Sequence, residues 1–146
     1  MHEMMPDAAK RSLISSLSVY PHSVSYFNEL AGGPTRGHWH LIDSNIDWGQ
    51  DMFFLKKWYD QNPEARPLYV DCFSAVEPKF YRIESEPDSF QIQPGWYAMS
   101  VNQLHDPRHK YDGFLKLRPL AMAGYSIYIY RLSAEDAARI RAEYSK

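Results

Sequence analysis

The chain has 146 residues, with 16 Lys and Arg against 18 Asp and Glu, and its formal net charge of −2 excludes the basic surface that nucleic-acid binding needs. Its one cysteine, Cys72, permits no internal disulfide, and no stretch approaches the ~20 apolar residues of a spanning helix. A chain of this length can bury roughly 70% of the surface its unfolded form exposes, so a single domain stands without disulfide or metal.

Residues 1–7 form a loose polar start without the apolar core of a signal peptide, which predicts a soluble chain. Leu13, Ile14 and Leu17 then recur at helical spacing, with Lys10 and Arg11 near the beginning and Pro21 as a stop. This pattern suits a surface helix, or a juncture after a membrane span whose basic pair faces lipid headgroups. We therefore divide the sequence into residues 1–18, an N-terminal helix or membrane-proximal juncture, and residues 19–146, a single α/β domain. Ala31-Gly32-Gly33-Pro34 breaks the chain before the first strand.

His38-Trp39-His40-Leu41-Ile42 reads as that strand, and Asp43-Ser44-Asn45 follows with side chains that bond their own backbone in turns. Asp47 occupies the expected N-cap of a helix, with Gln50 at the third helical position completing an Asp-based capping box and Asp51 adding negative charge to the first turn. Met52, Leu55 and Tyr59 make one helical stripe and Phe54 with Trp58 an adjoining one, leaving Lys56, Lys57, Asp60 and Gln61 towards water. Strand, loop and helix together place Asp43, Asn45, Asp47, Trp48, Gln50 and Asp51 at a strand's carboxyl end. Open α/β sheets bind ligands there, so these six are the candidate ligand-binding residues.

Asn62-Pro63 closes the helix, and Pro67 to Phe73 is the next strand, completing a βαβ unit with parallel pairing. Pro78 opens a brief amphipathic helix with Phe80, Tyr81 and Ile83. Residues 84–94 read as a loop with one short strand at Phe90-Gln91-Ile92, and Gly95 to Val101 as a third strand. His105 to Asp112 is a charged loop, and Phe114 to Ala123 suits a helix or irregular cover. Tyr125 to Leu132 alternates β-branched and aromatic residues and predicts a strand, after which Ser133 caps the last helix with Asp136 three residues on. The expected architecture is one three-layer α/β domain with a mostly parallel β-sheet, mixed if the last strand runs antiparallel.

Chemical motifs are sparse. Asp43-x-Asn45-x-Asp47 begins like a calcium loop, but Trp48 and Phe54 stand where such a loop needs Gly and Glu. His38-x-His40 puts two imidazoles on one strand face without a third ligand, and Pro107 between His105 and His109 opposes the helix that would align that pair. No metal and no cofactor are expected. Asp43 and Asp47 suit a carboxylate pair of the kind a soluble glycoside-cleaving enzyme uses, the main catalytic alternative. Phosphate-binding glycine motifs and a G-x-S-x-G elbow are absent. Aromatic residues make up 15% of the chain, which fits a core of amphipathic rings or a carbohydrate-binding or membrane-interface surface; exposure of Trp39, Trp48, Trp58 and Trp96 separates these.

Several strings resemble one family. Tyr20-Pro21-His22, Tyr26 to Pro34 (YFNELAGGP), and Leu41 to Asp51 (LIDSNIDWGQD) are similar to the soluble C-terminal region of bacterial polytopic membrane glycosyltransferases related to the dolichyl-phosphate-mannose protein mannosyltransferases. Ala75 to Tyr81, Gly95 to Val101 and Gly124 to Tyr130 resemble the same region, so the likeness spans residues 19–132. In that family the multi-span part binds the polyprenyl-phosphate sugar and an early extracytoplasmic loop holds the acidic base; neither has a counterpart in this sequence. The resemblance therefore implies no catalytic residue here. It implies an extracytoplasmic accessory domain, partnered by the membrane-embedded portion of a glycosyltransferase or the membrane surface, with carbohydrate as a further candidate ligand. A free-standing soluble enzyme or a binding module is the alternative.

Overall fold

The computed structural model describes residues 49–86 and 92–144. Five strands pair in one sheet in the order β2-β1-β3-β5-β4: β1 is Leu68–Asp71, β2 Ser85–Glu86, β3 Gly95–Ser100, β4 Ala121–Ala123 and β5 Ile127–Leu132. The helices are α1, Met52–Gln61; α2, Val101–Leu104; α3, Asp112–Leu115; and α4, Ala134–Tyr144. Short 3-10 turns at Pro63–Ala65 and Pro78–Tyr81 flank β1.

The protein is α/β, but the sheet is mixed and not mostly parallel. β1 runs parallel to both β2 and β3, whereas β5 runs antiparallel to β3 and β4. The difference lies partly in Phe114 to Ala123, expected as helix or irregular cover, which supplies α3 and then the edge strand β4. Only residues 124–126 join β4 to β5, and so short a link permits only an antiparallel neighbour. The last strand runs antiparallel, the alternative under which a mixed sheet was expected. The expected strand at His38 to Ile42, and hence the βαβ unit, lies outside the described residues, as do Phe90 and Gln91. Ile92 is not in a strand but is buried in the core, and the polar stretch before it supplies β2 instead.

Alternation along β3 and β5 sends side chains to two core clusters. Tyr97, Met99, Tyr130 and Leu132 join Leu104, Phe114 and the Ala137 and Ile140 stripe of α4. Ala98, Ile127 and Ile129 join Met52, Leu55 and Tyr59 of α1, together with Leu68 and Ile83. Residues of opposite parity on a strand face opposite ways, so α1 and α4 pack on opposite faces of the sheet. Phe114 is fully buried, its ring edge-on to Tyr97, Tyr111 and Tyr130 at centroid distances of 5.2, 5.8 and 5.4 Å.

The α1 stripes follow the sequence pattern: Met52, Leu55 and Tyr59 are buried, Phe54 and Trp58 half-buried, and Lys57, Asp60 and Gln61 exposed. Phe80 does not. Expected on an apolar helix face, it is 71% exposed, because the segment makes only a 3-10 turn and Arg82, at φ 55°, reverses the chain so that Ile83 alone enters the core.

Candidate functional site at the strand-end edge

β1 ends at Asp71 and β3 at Ser100, and the chain entering α1 meets them there. The Ser100 hydroxyl accepts from Phe73 N–H at 3.1 Å, joining the two strand ends. Val101 N–H donates to Ser126 C=O at 2.7 Å, which brings the turn before β5 to the same edge. Gly49 lies against Ser74: a β-carbon there would stand 2.9 Å from the Ser74 Cα, and its φ of +82° suits glycine.

Of the six candidate residues, Asp43, Asn45, Asp47 and Trp48 lie outside the described residues. Gln50 and Asp51 stand near the ends of β1 and β3, though not in the predicted roles. Gln50 sits in a turn ahead of the helix and not at its third position, since α1 begins only at Met52. Asp51 holds the cap position, yet its side chain makes no capping bond. Fully buried, its Oδ2 accepts instead from the backbone N–H groups of Tyr125 and Ser126, each at 2.8 Å. The helix dipole is therefore not what places this carboxylate. Two amides of a distant turn compensate its burial. Gly124 makes room for the tie, because a β-carbon there would stand 2.1 Å from the Asp51 Cγ. Beside it the Ser126 hydroxyl is buried without a hydrogen-bond partner.

Sequence reasoning missed a second carboxylate at this edge. Asp71, the last residue of β1, accepts from the Tyr111 hydroxyl, and Lys110 Nζ stands 3.4 Å from the same oxygen. The Asp71 side chain keeps 24% of its exposure, so of the two carboxylates described at this edge it is the accessible one, whereas Asp51 is sealed. An acidic residue closing an otherwise apolar strand was the available signal. Its partners lie about 40 residues on and could not be read locally.

The charged loop after α2 borders a shallow trough. One hollow of 390 Å³ is lined by His105, His109 and Asp112 among others, and an adjoining one of 330 Å³ by Leu117, Pro119 and Tyr128; both share His105 and Leu115. Its polar groups are engaged internally. Arg108 grips Asp106 through two bonds of 2.9 and 2.7 Å and draws the carboxyl down to about 2. His109 Nδ1 lies 3.1 Å from Asp112. Burial lowers the His105 imidazole below its ordinary value, against the pull of Asp112, and raises the Tyr128 hydroxyl. Among the described residues no group of three or more His, Cys, Asp or Glu is arranged to hold a metal.

Trp58 and Trp96 are half-buried and pack on each other at 5.9 Å, with the Arg131 guanidinium over Trp96 at 5.5 Å. Both pack against the core cluster beneath α1; Trp39 and Trp48 lie outside the described residues. Among the described residues no helix is long and apolar enough to cross a membrane. No family model, curated protein sequence or solved structure matches the chain.

Proposed function

We propose that this α/β domain, with three layers formed by its sheet and the helices on either face, is an extracytoplasmic accessory module of a membrane glycosyltransferase that uses a lipid-linked sugar. In this reading it has no catalytic role of its own, and its partner is the transferase's membrane-embedded portion or the membrane surface. The observation that supports this reading is the meeting of the family-like strings. Asp51 from LIDSNIDWGQD bonds the turn that opens with Gly124-Tyr125-Ser126, and Gly49 of the same string rests on Ser74, directly before Ala75-Val76-Glu77-Pro78. Ser100 of GWYAMS ties in Phe73. Strings scattered over the sequence thus specify one structural node, as expected if the likeness reflects a shared domain.

The test is a single-turnover assay with a labelled polyprenyl-phosphate sugar in detergent, comparing the isolated chain with the chain joined to a membrane transferase portion. A lipid-tailed donor needs a hydrophobic slot, and transfer needs a base within hydrogen-bond reach of a positioned acceptor. The isolated chain is expected to transfer nothing. Transfer that disappears in Asp43→Asn or Asp47→Asn would overturn the accessory reading in favour of a soluble enzyme.

A further inference from the structure

We draw no further inference here: the strongest candidate, the shallow trough lined by His105, Leu115, Leu117, Pro119 and Tyr128 beside the charged loop after α2, carries nothing, because nothing in the structure shows what covers it.

Discussion

At the start of α4 the Asp136 carboxylate reaches back three residues to Ser133, whereas at the start of α1 the Asp51 carboxylate reaches 74 and 75 residues ahead to Tyr125 and Ser126. The first is a reciprocal cap: Ser133 N–H donates to Asp136 Oδ2 at 3.2 Å, and Asp136 N–H donates to Ser133 Oγ at 3.0 Å. It is exposed and concerns one helix. The second is buried and joins α1 to the β4–β5 turn, so losing it loosens two elements packed on one cluster. Aspartate at a helix start thus has two uses, and burial distinguishes them.

The largest expected effect tests the buried tie. Asp51→Ala leaves two N–H groups without their acceptor in a sealed site and should cost about 3 kcal/mol or more, read from the midpoint of urea unfolding. A loss no greater than that of a surface cap would erase the contrast. Next comes Gly124→Ala, expected to cost about 2 kcal/mol, because Gly124 has φ +64° and the added carbon collides with the carboxylate. Since both substitutions break the same contact, the double variant should lose less than the two single losses added. Additive losses would mean that Gly124 serves the turn alone.

How much was legible follows the same division between near and far. The apolar stripe of α1, the strands β3 and β5, and the Ser133 cap were readable because each is specified within a few residues. The strand β4 was not: Ala121-Met122-Ala123 has no β-branched residue, and only β5 beside it makes it a strand. Of the candidate residues, Gln50 and Asp51 are described and stand where β1 and β3 end, while the strand and loop expected before them lie outside the described residues. The bonding at this edge was hidden, because Asp51 answers to Tyr125 and Ser126, and Asp71 to Lys110 and Tyr111. Phe80 shows a further limit, as apolar spacing alone does not reveal a segment too short to bury its ring.

Ser133→Ala tests the local side of the contrast and should cost about 1 kcal/mol, a typical loss for an exposed cap. The loss should add to that of Asp51→Ala, as the two sites share no partner. A double variant that departs from additivity would show that the two helix starts communicate through the sheet.

The smallest expected effect is the pH dependence of the Ser133 cap. The Ser133 hydroxyl and amide, with Arg139 adding to them, hold the Asp136 carboxyl below its ordinary value. A carboxyl that binds its proton less readily folded than unfolded stabilises the fold fully above the unfolded value of about 3.9. That contribution is lost as pH falls from there through the folded value. Asp136→Asn should therefore destabilise the chain slightly at neutral pH, by less than Ser133→Ala, and the gap from wild type should narrow at about pH 3. Urea midpoints at the two pH values give the comparison. A gap that stays constant would show that the cap works through geometry alone, with the charge of Asp136 contributing nothing.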